Sequence, residues 1–211
     1  MCNLYRLTTP TSAIAGMFSA QVGPAPNLSD EIYPGYPGLV VAAGQVQAMA
    51  WGFPLAQKSA RTGLPIKPQT VNNAREDNLA TPFWRDSFIH RRCLIPVSAW
   101  AEAQGEKGRM TRTWYAVPGD EPFAVAGIWR PTSEWGNAYS MVMVYSCEFM
   151  AEVHDRMPAI LRQKDWNTWL LGTPEDAFSL CRAWDGELTM DTTKEPWAKR
   201  RQHASASPTL L

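Results

Sequence analysis

Six short runs of apolar, β-branched and aromatic residues set the terms for any fold of this chain: "LVVAA" (39–43), "VQAMAW" (46–51), "CLIPVSAW" (93–100), "RTWYAV" (112–117), "PFAVAGIW" (122–129) and "AYSMVMVY" (138–145). Each is of strand length and is bounded by turn-forming residues, so each reads as a β-strand. Strands this short bury little surface alone and must pair into sheets. The first two flank a glycine-containing turn and read as a hairpin. Helical patterns are fewer. Residues 11–20 follow a Thr-Pro and suit a short helix capped by Thr11 or Ser12. "TPFWRDSFIHRR" carries a helical stripe at Phe83, Trp84, Phe88 and Ile89, and "DWNTWLLG" and "PEDAFSLCRAW" also read as helices. Residues 21–38 are rich in proline and glycine and read as irregular chain, and residues 53–70 as a long loop. Strands outnumber helices and seldom alternate with them, which favours α+β over a doubly wound sheet. The expectation is a single domain over residues 1–190, with a mixed, largely antiparallel, barrel-like β core flanked by short helices. From residue 191 the pattern is lost, and 191–211 is expected to be a disordered tail.

Length and charge narrow the function classes. A chain of 211 residues fits one domain. Lys+Arg and Asp+Glu are both 20, and this neutrality argues against bulk electrostatic coating of duplex DNA while leaving room for a local basic groove. Cys2, Cys93, Cys147 and Cys181 show no CxxC pair and no metal spacing. They read as reduced thiols of a cytosolic protein, and no metal or cofactor is expected. No signal peptide and no bilayer-length apolar run is present, so no membrane partner is expected and the location reads as cytoplasmic. The basic run "KEPWAKRRQH" near the end reads as solvated charge.

Four stretches place chemistry-bearing residues in apolar or proline-rich contexts. "MCN" puts a cysteine directly after Met1. Removal of that methionine would leave a free α-amine and a thiol on one residue. Such a 1,2-aminothiol condenses with an aldehyde to a Schiff base and closes to a thiazolidine; alternatively the amine serves as base for its own thiol, as in N-terminal-nucleophile hydrolases. "NNARED" (72–77) offers Asn73 and Arg75, "CLIPVSAWAEA" delivers Glu102 just past a buried strand, and "EVHDRMPAIL" (152–161) carries His154, Arg156 and Pro158. Each has an ordinary structural role open to it: a turn cap, an ion pair, a solvated strand end, a surface histidine, a terminal cysteine. Together they supply a nucleophile, a carboxylate, an imidazole, an amide and a guanidinium, the inventory for carbonyl chemistry beside a phosphate. Bases could stack on an aromatic such as Trp51.

"MC" at the start, "WGFP" at 51–54, "NAR" at 73–75, "RRCLIP…E" at 91–102, "FAVAGIW" at 123–129 and "HDRMPAIL" at 154–161 resemble, in order and spacing, the SRAP family of SOS-response-associated peptidases, also called abasic-site processing proteins. The resemblance runs from residue 2 to about residue 190. It implies binding of single-stranded DNA and covalent reaction with abasic sites. It implies that Cys2 crosslinks, that Asn73 bonds near the N-terminal residue, that Arg75 holds a phosphate, that Glu102 handles protons, and that His154 acts near the sugar in proton transfer and strand scission. Arg85, Arg156, Met157 and Pro158, with Trp51, complete the expected DNA-contacting set. A monomer engaging the nucleoid is the accompanying expectation. The chain departs from the family pattern: Asn3 and Leu4 stand where many members have Gly-Arg, Ala103 where tryptophan usually follows the glutamate, and "GELTM" replaces a longer C-terminal element. The alternatives are a thiol hydrolase of the N-terminal-nucleophile kind acting on a peptide or amide, with Asn73 in an oxyanion hole, and a non-catalytic single-strand-binding module.

Overall fold

The computed structural model describes residues 2–23, 28–119 and 122–197. The strands are β1 (Tyr5–Arg6), β2 (Gln21–Val22), β3 (Glu31–Ile32), β4 (Pro37–Ala42), β5 (Gln45–Trp51), β6 (Phe53–Lys58), β7 (Pro65–Val71), β8 (Asn73–Arg75), β9 (Arg92–Val97), β10 (Ala99–Gln104), β11 (Thr111–Ala116), β12 (Phe123–Thr132), β13 (Gly136–Tyr145), β14 (Arg156–Pro158), β15 (Ile160–Leu161) and β16 (Thr189–Pro196). The helices are α1 (Thr11–Met17), α2 (Arg85–His90), α3 (Trp166–Leu171) and α4 (Pro174–Ser179).

The core is a closed ring of five strands, β13–β12–β9–β4–β5, in which β5 returns to pair with β13. Four of the five pairings are antiparallel, and the closing one is parallel, with Ala50 opposite Ala138 and Trp51 opposite Tyr139. Closure removes the sheet edges that would otherwise recruit other strands. A second sheet, ordered β16–β11–β10–β1–β3, adjoins it. This is the expected α+β domain with a mixed, largely antiparallel barrel.

Local readings need several corrections. "CLIPVSAW" is two strands, not one. The chain leaves the barrel at Ser98, whose N–H donates to the Arg6 carbonyl at 2.8 Å and whose hydroxyl meets Thr8 at 3.1 Å, and it continues as β10 in the second sheet. Glu102 therefore sits within a strand. Residues 53–70 contain the β6–β7 hairpin, which lacks an apolar face because most of its residues are exposed. The irregular stretch 21–38 contains β2 and β3, and α1 begins after Pro10 with no side-chain cap from Thr11 or Ser12. The stretch from residue 191 is strand as far as Pro196: β16 pairs with β11, Thr192 opposite Thr113. Backbone hydrogen bonds to an exposed edge hold it, and these leave no hydrophobic period to read. Residues 198–211 of the expected tail lie outside the described residues.

Candidate active site around Cys2

Cys2 lies at the head of the run into β1, between the barrel and the second sheet. It is fully buried. Two consecutive asparagines hold it. Asn72 Nδ2 donates to the Cys2 carbonyl at 3.0 Å and Asn73 Nδ2 donates to the same oxygen at 2.8 Å. Neighbouring side chains on a strand point to opposite faces, so this convergence requires a break. Asn72 provides it, standing between β7 and β8 outside regular strand. The Asn72 carbonyl is fixed in turn by the Trp51 indole N–H at 3.1 Å and the Met141 N–H at 3.0 Å. β8 then runs parallel to β13 with Asn73 opposite Met141, which turns Ala74 into the core and leaves Arg75 exposed.

Below Cys2 the floor is aromatic. Tyr5 and Tyr139 share a hydroxyl–hydroxyl hydrogen bond of 2.5 Å, and Trp51 stacks on Tyr139 with its edge to Tyr5. Gly38 makes room for the two phenols, since a Cβ there would lie 2.2 Å from both oxygens. Burial pushes the Cys2 thiol pKa up, and the nearby Glu102 carboxylate pushes it further. The thiol is therefore held as neutral S–H, donating to the Leu4 carbonyl at 3.5 Å.

Glu102 projects from β10 opposite Thr113 and is 2% exposed. Burial raises its pKa from 4.5 to about 7, with Asp155 adding to the rise. A carboxyl that titrates near neutrality can both give and take a proton at physiological pH. His154 precedes β14. Its Nδ1 accepts the Arg156 backbone N–H at 2.9 Å, which puts the neutral ring's proton on Nε2. Burial lowers its pKa below 6.5, so the ring is neutral at pH 7.

The structure thus brings Cys2, Asn73 and Glu102 together, with the His154–Asp155 turn beside Glu102. It separates four other expected contacts from solvent. Trp51 is fully buried and offers no face to a base; it positions Asn72 instead. Arg156 is 4% exposed, bonded to Glu76 at 2.7 Å and stacked on Tyr145, so its charge is committed within the protein. Met157 and Pro158 are buried in β14 against β13. Arg75 remains exposed, paired with Asp77. Arg85 opens α2 on a different surface cleft, with Pro82 and Ile89. Asn72 escaped the sequence reading. Its signal is the doubled asparagine, which alternation splits between two faces. Among the described residues no three His, Cys, Asp or Glu side chains gather to hold a metal ion, and no helix is long and apolar enough to cross a membrane.

Comparison with known proteins gives a family and a shared fold. The family described as "SOS response associated peptidase (SRAP)" matches residues 1–195. No curated protein matches the chain. Among solved structures, a protein from Bordetella bronchiseptica shares the fold with a TM-score of 0.76 at 18% identity, covering 91% of this chain and 99% of its own. A protein from Bacteroides thetaiotaomicron gives 0.75 at 19% identity over 90% and 91%. A phage-related protein from Bordetella bronchiseptica gives 0.67 at 16% identity over 92% and 95%.

Proposed function

The chain belongs to the SOS response associated peptidase family, and on that premise we propose that it captures abasic sites in single-stranded DNA covalently through Cys2. The observation that carries this reading is the pinning of the Cys2 carbonyl by two amides beside a carboxyl whose pKa is about 7. Removal of whatever precedes Cys2 frees its α-amine, whose ordinary pKa of about 7.7–8.0 leaves a neutral fraction at pH 7. That amine adds to the aldehyde of the ring-opened abasic sugar. Glu102 protonates the carbinolamine hydroxyl, water leaves, and an iminium remains. The Cys2 sulfur adds to the iminium carbon, its S–H proton passes to the Glu102 carboxylate, and a thiazolidine closes. One C–N and one C–S bond form, and the aldehyde oxygen departs as water. His154, neutral at pH 7, is the base for a weak strand scission that expels the 3′ phosphate. Arg75 is an exposed cation next to Asn73 and so within reach of a DNA phosphate, a contact that fixes position without reading sequence.

The hydrolase reading loses ground because both asparagine Nδ2 groups are turned onto the Cys2 carbonyl, with Asn72 spending its second N–H on Asn3 Oδ1, so neither amide is dedicated to an oxyanion. Intact mass spectrometry tests the proposal. Protein lacking Met1, mixed with an abasic oligonucleotide, is expected to gain the oligonucleotide mass minus one water, and Cys2→Ala to give no stable adduct. A stable adduct on Cys2→Ala at wild-type yield, or none on wild-type protein with verified Met1 removal, overturns it.

A further inference from the structure

A groove of about 480 Å³ opens beside the site, lined by the aromatic Tyr33 and Trp197 together with Leu4, Asn3, Thr70 and Asn72. It is continuous with Cys2 through one side chain, since the Asn72 amide nitrogen that holds the Cys2 carbonyl also donates to Asn3 Oδ1 at 3.1 Å.

Both aromatic residues are held in place. The Tyr33 hydroxyl donates to Glu31 at 2.7 Å and accepts from Arg112 at 3.1 Å. The Trp197 backbone N–H donates to the Met110 carbonyl at 2.8 Å, and its ring packs against the small cluster of Leu4, Ala101 and Trp114. Among the described residues no arginine or lysine lines the groove. The described lining offers a phosphate no cationic side chain, whereas a flat, weakly polar heterocycle finds a tyrosine, a tryptophan and asparagine side chains. Such stacking is sequence-tolerant because every base presents a π-face. The exposed cation lies the other way along the same segment. Thr70 and Asn72 line the groove, Asn72 and Asn73 hold Cys2, and Arg75 follows in solvent. Trp51, which the sequence offers as a stacking aromatic, is enclosed.

We infer that this groove is a nucleobase subsite, and that Tyr33 and Trp197 stack the base of the nucleotide next to the captured sugar. The inference rests on the proposed reaction at Cys2 and adds a determinant to it: capture depends on a neighbouring base as well as on the aldehyde.

The test uses full-length protein and abasic oligonucleotides in which the nucleotide on one side or the other is replaced by an inert, base-less tetrahydrofuran residue. Stacking energies of single bases on aromatic side chains correspond to about five-fold or more in affinity. Wild-type capture at subsaturating protein is expected to fall by about that factor when the base is removed on one side only. The ratio between the two substrates is expected to collapse towards one in Trp197→Leu, which keeps apolar packing on Leu4, and to persist in Trp197→Phe, which keeps a ring. Equal capture of all substrates by wild type, or an unchanged ratio in Trp197→Leu, overturns the subsite. Failure of wild type to capture any abasic strand instead sinks the reaction at Cys2. Fluorescence anisotropy with intact strands, one base deleted at a time, then still decides the groove: a Trp197-dependent loss at one position supports it, and uniform binding refutes it.

Discussion

Glu102 carries the sharpest pH signature in the molecule. Burial raises its carboxyl pKa from 4.5 to about 7, so the folded protein keeps a proton that the unfolded chain releases between those values. Its contribution to stability is fully present below about pH 4.5 and is lost as pH rises through 7, by up to about 3 kcal/mol. Glu102→Gln is therefore expected to match wild type in urea denaturation at pH 4 and exceed it at pH 8; equal midpoints at pH 8 would show that the carboxyl is not strained by burial. The same substitution is expected to erase an inflection near pH 7 in the rate of abasic-site capture. The asparagine pair makes a second test. Asn72→Ala or Asn73→Ala each leaves the Cys2 carbonyl one donor, whereas the double variant orphans a buried acceptor, at about 1–3 kcal/mol. The double loss measured in a thermal-denaturation cycle should exceed the sum of the single losses. Asn73 was legible because it sits in "NAR"; Asn72 was not, because a regular strand would turn it away.

At the scale of elements, the segment 73–77 and β14 divide two arginines that look alike in sequence. Arg156 is buried and bonded to the partly exposed Glu76, so Arg156→Ala removes that partner and the packing on Tyr145 and is expected to destabilise by about 1–3 kcal/mol. Arg75 is exposed, so Arg75→Ala is expected to leave the melting temperature within experimental error while weakening single-strand binding and flattening its salt dependence. A melting temperature equally lowered by both would refute the division. Burial of a cation depends on what folds over it, here Tyr145 on one side and Glu76 on the other, and no spacing within "HDRMP" encodes that. β16 was hidden for the opposite reason. Thr189–Pro196 is largely exposed on both faces, and its order comes from backbone pairing with β11. Truncation before Thr189 is expected to lower the melting temperature by uncovering that edge, as measured by calorimetry.

For the whole molecule, the strand-dominated class could be read from the apolar runs, but the closure could not. It depends on β5 meeting β13 in parallel, far apart in sequence, through hydrogen bonds that leave no side-chain period. A ring closed by such distant pairing is expected to refold on the millisecond-to-second scale, and capture competence should return with the slowest phase, because residues 2, 72, 73, 102 and 154 converge only once both sheets are in place. Stopped-flow fluorescence with quenched capture assays checks this; competence that precedes the final phase would mean the site forms without the ring. The complete enclosure of Cys2 has a corollary in time. Before the two sheets come together around it, residue 2 is extended chain that an enzyme can grip along its length. During synthesis, at about 5–20 residues per second, Cys2 waits on the order of ten seconds for residues 102 and 154 to be made. That interval gives any external aminopeptidase an open chain to act on.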